Sequence, residues 1–345
     1  MASLNFASPG PAALTATDLL GIPANEPERL FAPDRAAVDR AYRALAAIWH
    51  PDRNATAPAI PVFQHLTALR EAALARLADG EWHEPGRLTL TGRDGRAWRL
   101  RHRRRRAFEL GDLYVAGSVA AWLVDPAHAD LVDRAVRQIG TFRFGDDAMR
   151  GAISRYLPVM AHQVDTKRRR AVVVHKPADM ILLADLLEHV GGRLDPRHVA
   201  WILSELYCFA CWMAWAGLTH NALAADTLFV SPEHHAVAVL GGWWYATPAG
   251  ARLAALSARS AALAAADIIR RKIADFRLDL DLIRALGRDL LGDAPGVPAA
   301  LATWLALASN GSAQDDYAQW QQVLTDAFGS RRFTPLNVRP EDVYR

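Results

Sequence analysis

Cysteine is almost missing from this chain. Cys208 and Cys211 are the only two among 345 residues, which excludes a disulfide framework and fits a reducing cytoplasm. Two sulfurs without a second pair are also too few for a tetrahedral zinc site. No signal peptide is expected, since Met1-Ala-Ser-Leu-Asn-Phe6 has no charged segment ahead of an apolar stretch. A clean membrane span is missing as well. The longest apolar run, 199–218, carries Ser204, Glu205 and three tryptophans and reads as a buried helix. Charge of one sign is not in excess either, since the net charge is +3, which alone calls for no anionic partner. What is present is apolar material, 51% of residues, enough to build a sizeable core over two or three domains.

Pro, Ala and Ser fill residues 1–13, a loose end. Helical patterning then runs from Thr15 to Leu77, broken at 50–61. The turn-rich stretch 79–86 follows and reads as exposed, a linker over 80–87. Residues 88–91 and 97–100 flank Gly92-Arg-Asp-Gly95 and predict a hairpin. Further strands are expected at 112–116, 119–124 and 171–175, and at 227–230 and 236–240 within an otherwise helical C-terminal half. Strands first and helices after make the fold class α+β. The expected order is a tail over 1–13, an all-α module over 14–79, the linker, a two-lobed module over 88–330 and a tail over 331–345.

The segment 38–54 has a distinct pattern. Val38, Tyr42, Leu45 and Trp49 recur at helical spacing and form one apolar face, with Arg40 and Arg43 off it. The helix must stop near His50, because Pro51 lacks an amide donor and drives its predecessor out of the α region. Phe63, Leu66, Leu69, Ala73 and Leu77 predict a second helix packed antiparallel on the first. A helical hairpin with His50-Pro51-Asp52 opening its connection resembles a J-domain, over about residues 15–78. Asp18-Leu-Leu-Gly-Ile22 stands where that family has its first helix. The resemblance implies docking on a DnaK-type chaperone and stimulation of its ATPase, through Arg40, Arg43, His50, Pro51, Asp52 and Arg53. An exposed carboxylate at Asp52 can pair with a cation on the partner, and the arginines can steer toward an acidic groove. Departures from the family are Ala44 and Ile48 at positions usually Lys, Arg70 at a position usually Tyr, and a longer first loop over 24–36.

His220-Asn-Ala-Leu-Ala-Ala-Asp-Thr-Leu-Phe-Val230 follows the long apolar helix and leads into a strand. It resembles a protein-kinase catalytic loop. His220 keeps the loop's first position. The base, the nearby Lys and the metal-binding Asn of the family are here Ala222, Ala224 and Thr227. Gly241, within 238–243, holds the position of the metal-binding Asp, and Trp122, within 119–122, that of the phosphate-binding Lys. No G-x-G-x-x-G precedes Trp122. Residues 281–291 resemble the family's buried helix with an Asp one position out of place, and 301–308 and 316–328 its last helices. The resemblance spans 98–330. It implies a protein-kinase-like fold with a small β-rich lobe and a larger helical lobe, and with no catalytic residue, metal or cofactor: a pseudokinase.

The reading is therefore a cytoplasmic co-chaperone in which a J-domain-like module recruits a DnaK-type ATPase and a catalytically dead module binds a client or assembly. The alternatives are an atypical kinase or nucleotidyl transferase using displaced groups such as Asp226, or a scaffold whose J-like hairpin is vestigial. Arg99, Arg101 and Arg103–Arg106 are expected on a solvated edge strand protected by its charge, and nucleic acid is not an expected partner. Cys208 and Cys211 are expected in the core, and His234 and His235 on the surface.

Overall fold

The structure, a computed structural model, describes residues 14–24, 26–309, 311–330 and 332–344. The expected N-terminal tail over 1–13 lies outside them. The chain divides into two compact units. The first holds the described residues up to His102 together with Val164–Arg169, and the second holds Arg103–Gln163 and the rest from Arg170.

In the first unit three helices pack together. Thr15 caps Ala16–Leu20 in a capping box with Asp18. Asp34 accepts from the Ala37 amide at 2.8 Å and starts Arg35–Trp49. Ala59–Asp79 ends at Gly80, whose φ of 77° is the left-handed helix stop. Leu19, Leu45, Val62 and Leu66 fill one core cluster, and Phe31, Val38, Leu69, Ala73 and Trp82 another. Arg70 ties the two long helices together, pairing with Asp39 at 2.7 Å and lying over the Tyr42 ring at 5.0 Å.

The expected linker at 80–87 does not exist as such. Glu81–Glu84 is a strand paired antiparallel with Arg87–Thr91, which pairs in turn with Ala97 onward. Trp82, Glu81 and His83 are buried. The sequence signal misled because polar residues and glycine crowd the stretch, whereas the indole of Trp82 drives it onto the helices. A Cβ at Gly80 would stand 2.8 Å from the Thr91 carbonyl oxygen, so the helix stop also admits the strand closely. The module boundary accordingly falls at His102, within the long strand Ala97–Phe108.

The second unit begins with an antiparallel sheet and continues into a helical part. Gly111–Ala116 pairs with Val119–Val124, which pairs with Arg170–His175, so that Leu113, Trp122 and Val172 stand in one row. Leu131, Val132 and Ala135 of the helix Ala129–Ile139 join the same core. The helical part is built around Pro196–Ala216, started by Asp195 and a first-turn proline and stopped by Gly217 at φ 69°. By length and composition this helix could cross a membrane, but Ile202, Leu206, Phe209 and Met213 pack into the unit's core. Phe276–Leu291, Ala299–Ala306 and Ala313–Phe328 surround it.

Three further expectations need correction. The arginine strand is not a solvated edge: Arg104 and Arg106 pair with Glu188 at 2.9 and 2.8 Å, and Arg105 with Asp112 at 3.0 Å. The C-terminal segment is not a free tail. Pro340 is buried, and the Tyr344 hydroxyl accepts from the Leu182 amide at 2.9 Å. His235 is half-buried and stacks on Trp201 with ring centroids 4.7 Å apart. Cys208 and Cys211 are half-buried within their helix, and burial pushes the Cys211 thiol up to about 11.

Removing the indole at Trp82→Ala is expected to destabilise the first unit by about 3–5 kcal/mol, read as a lowered urea midpoint by circular dichroism. Limited proteolysis of the wild type should spare 80–86, which its strand pairing protects.

Candidate functional site

Two constellations carry the residues singled out above, one on each unit. In the first unit His50 ends its helix with φ −67° and ψ 130°, as Pro51 demands. The Arg53 and Asn54 amides both donate to the His50 carbonyl at 2.9 Å. The Asp52 amide donates to His50 Nδ1 at 3.2 Å. Asn54 Nδ2 donates back to the Ile48 carbonyl at 3.1 Å, and the Phe63 ring meets the His50 ring edge-on at 5.0 Å. The loop is thus fixed by its own backbone, and the Asp52 side chain is 85% exposed. Arg40, Arg43, Pro51 and Arg53 are exposed as well. Arg40 and Arg53 make no ion pair among the described residues, so their charge is available to a partner. Ile48 is an exposed aliphatic group where the basic face is interrupted.

In the second unit the structure brings Trp122, His220, Ala222, Thr227 and Gly241 together, with Ala224 on the loop beside them. The loop is held from below by Asp279 of the Phe276–Leu291 helix. One carboxylate oxygen accepts from the His220 amide and the other from the Asn221 amide, each at 2.7 Å. Asn221 takes a φ of 62°, a left-handed conformation that asparagine tolerates better than most residues. Its Nδ2 donates to Thr219 Oγ1 at 2.8 Å and to the Tyr245 carbonyl at 3.0 Å. Thr227 Oγ1 bonds to the carbonyls of Ala222 and Ala224 at 2.8 and 3.0 Å, so this hydroxyl serves the loop's own backbone.

His220 is fully buried and donates from Nε2 to the Gly241 carbonyl at 3.0 Å. Burial pushes its pKa down to about 4, so the ring is neutral at pH 7. Burial pushes Asp279 the other way, up to about 6, against the two amide hydrogen bonds that favour its charged form. The Trp122 indole is 2% exposed and packs against Phe229 and Trp244, with ring centroids 6.4 and 5.8 Å away. It also lies on the backbone of Gly241: a Cβ there would come within 2.9 Å of Trp122 Cζ2 and 3.2 Å of the Thr227 Cα. A side chain at 241 and an indole at 122 exclude one another. Gly242, at φ 83°, is equally constrained by the His220 ring, 2.6 Å from where its Cβ would be.

The turn ahead of these strands is short. Glu109 and Leu110 alone separate Phe108 from Gly111, and the Glu109 carboxylate accepts from the Tyr245 hydroxyl at 3.2 Å and from the Ala258 amide. Asp226 is exposed on the loop. Among the described residues no cluster of three metal-ligating side chains occurs.

Asp279 was not among the sequence candidates. The reading of 281–291 favours Asp281, but that carboxylate accepts from the Ser309 amide at 2.8 Å instead. The signal was present: Asp279 lies on the stripe of Ile283, Leu286 and Leu290, where a lone carboxylate among buried apolar residues must have a structural partner. Asn221 and Glu109 carried no signal, because their roles depend on the approach of the Tyr245 segment.

No model of a known protein family matches the chain, and no curated protein matches it. Among solved structures it is similar to that of vaccinia related kinase 3, with 16% identity over 71% of this chain and 93% of that one and a TM-score of 0.49. It is also similar to the BubR1 kinase domain, with 8% identity over 72% of this chain and 83% of that one and a TM-score of 0.47.

Trp122→Ala is expected to cost about 3–5 kcal/mol in the stability of the second unit, measured by chemical denaturation. The neutral burial of His220 gives a pH dependence. Its folded pKa lies below that of an unfolded histidine, so its contribution is complete above pH 6.5 and lost as pH falls toward 4. The melting-temperature advantage of wild type over His220→Phe should therefore shrink across that window. The opposing titration of Asp279 is common to both proteins and drops out of the difference.

Proposed function

We propose that this protein is a co-chaperone of the J-domain type, whose second unit is a protein-kinase-like fold that has lost its catalytic groups and serves as a binding scaffold. The observation that carries the first half is the His50-Pro51-Asp52 loop. It sits at the open end of an antiparallel helix pair, fixed by its own hydrogen bonds, with Asp52 and the unpaired Arg40 and Arg53 presented to solvent. A rigid loop carrying an acceptor beside a basic helix face suits a partner that offers a cation within an acidic surround. The partner proposed is a DnaK-type ATPase in the cytoplasm. Its ATP hydrolysis would be accelerated, with the client delivered by the second unit.

The second half is supported by what occupies the positions matched to kinase chemistry. Phosphoryl transfer is catalysed by positioned charge, metal ions and a group that orients the nucleophile. At those positions stand an indole sealed against a glycine, two alanines, and a threonine whose hydroxyl is spent on loop carbonyls. The buried lysine of this unit does not compensate: Lys176 Nζ donates to the carbonyls of Pro177 and Met180 at 2.9 and 2.8 Å, and burial lowers its pKa to about 8. The turn at Glu109 and Leu110 has no room for a glycine-rich phosphate cover.

Two measurements test this reading. The full chain should raise the steady-state ATPase of a DnaK-type chaperone several-fold, and His50→Gln should remove the increase while leaving the melting temperature in place. Equal stimulation by both would remove the co-chaperone assignment. Calorimetry with Mg·ATP should give no saturable heat up to millimolar nucleotide. A micromolar dissociation constant would instead promote the transferase built on displaced groups such as Asp226.

A further inference from the structure

The C-terminal segment and the 232–233 turn of the second unit enclose an open groove of about 670 Å³. Its chemistry is uneven. Asp179, Glu233 and Asp342 bring three carboxylates to its lining, against the single guanidinium of Arg339. The Asp342 carboxylate is engaged by the Arg339 amide at 2.9 Å. Asp179 and Glu233 make no ion pair among the described residues, and the side chain of Glu233 stands in solvent. The Lys176 ammonium acts on Asp179 from the protein side, so the acceptor charge left to the groove is chiefly that of Glu233.

The groove lining also holds an aromatic surface. Phe333 lines the groove and is 63% exposed, the most exposed of the large apolar side chains among the described residues. An exposed phenyl at a chain end would ordinarily sweep through many rotamers. This one is pinned. Its ring stacks on His235 with centroids 4.3 Å apart, and His235 stacks in turn on Trp201 at 4.7 Å and 9°. The column runs from the long core helix out to the groove, so one face of Phe333 is backed by protein while the ring remains largely open. His235 is shielded, and burial pulls its pKa below the ordinary histidine value, so at pH 7 the column adds no positive charge.

We propose that this groove is a binding site for an arginine-bearing, extended segment of a partner protein, with one guanidinium stacked on Phe333 and paired with Glu233. A fixed aromatic face beside a free carboxylate selects a planar cation that can stack and hydrogen-bond at once. A lysine ammonium matches the charge but not the stacking, and an acidic segment is repelled. The inference goes beyond the co-chaperone reading and does not depend on the His50 loop. It names the chemistry by which the second unit would hold a client.

The test is fluorescence anisotropy of the full chain with three fluorescein-labelled peptides of one Gly-Ser-spaced sequence, bearing two arginines, two lysines or two glutamates. The arginine peptide should bind saturably, the lysine peptide several-fold more weakly, and the glutamate peptide not at all. Glu233→Gln and Phe333→Ala should each weaken the arginine peptide about threefold, the scale of an exposed ion pair or cation–π contact, and the double variant about tenfold. All three variants should keep the wild-type melting temperature, since both side chains are exposed. His50→Gln should leave peptide binding unchanged, which separates this site from the chaperone-docking loop. No saturable binding of the arginine peptide, equal binding of the arginine and lysine peptides, or an unchanged affinity in the double variant would overturn the proposal.

Discussion

The Asp279 carboxylate is the fixed point of the second unit. It sits in an apolar stripe of the Phe276–Leu291 helix, and both its oxygens are committed to the consecutive amides of His220 and Asn221. A buried carboxylate left without partners would cost several kcal/mol, so the helix and the loop hold each other in one register. The left-handed turn at Asn221, its bonds to Thr219 and Tyr245, and the reach of His220 to the Gly241 carbonyl all follow from where that carboxylate places the chain. The positions compared with kinase chemistry converge because this loop is anchored, whatever side chains they bear.

What those positions contain is packing. Trp122, Phe229 and Trp244 form an aromatic group closed by the bare backbone of Gly241, and Ala222 is buried beside it. The lone hydroxyl, on Thr227, is satisfied within the loop. A region of this kind stabilises the unit through buried apolar area and offers a ligand no charge. The surface, by contrast, is not neutral. The same unit pairs most of its strand arginines internally, through Asp112 and Glu188, yet leaves Glu233 and Asp179 without an ion pair at the groove beside Phe333.

The first unit spends its hydrogen bonds differently. Its helix pair is pinned by Arg70 to Asp39, and Arg76 reaches Glu28 at 2.6 Å. Trp82 closes the helices onto the strands that follow. The connection between the helices is then free to be short and rigid, and its exposed groups have no internal duty. Exposed, unpaired charge on a stiff loop has the character of a contact surface, because holding it in one conformation yields nothing to the fold itself.

The sequence alone was enough for whatever is local. The helical spacing of Val38, Tyr42, Leu45 and Trp49, the stop imposed by Pro51, the Asp-Gly turn of the hairpin and the apolar stretches at 119–124 and 171–175 are set by neighbours a few residues away, and the elements form where those signals lie. The identities at 122, 222, 224, 227 and 241 were likewise plain from the loop pattern. Only the tertiary structure decided which aspartate anchors the loop, since Asp279 and Asp281 are two residues apart and differ only in which side of a helix meets the core. It also decided that 81–84 is a buried strand, because the signal there is one tryptophan that joins a cluster with Phe31 and Val38, 51 and 44 positions away. The arginine strand, the docked C-terminal segment and the Trp201–His235–Phe333 column belong to the same class. Each depends on residues distant in the chain, from 34 positions for Trp201 and His235 to 162 for Leu182 and Tyr344, meeting at a few ångströms, and periodicity carries no information about such encounters.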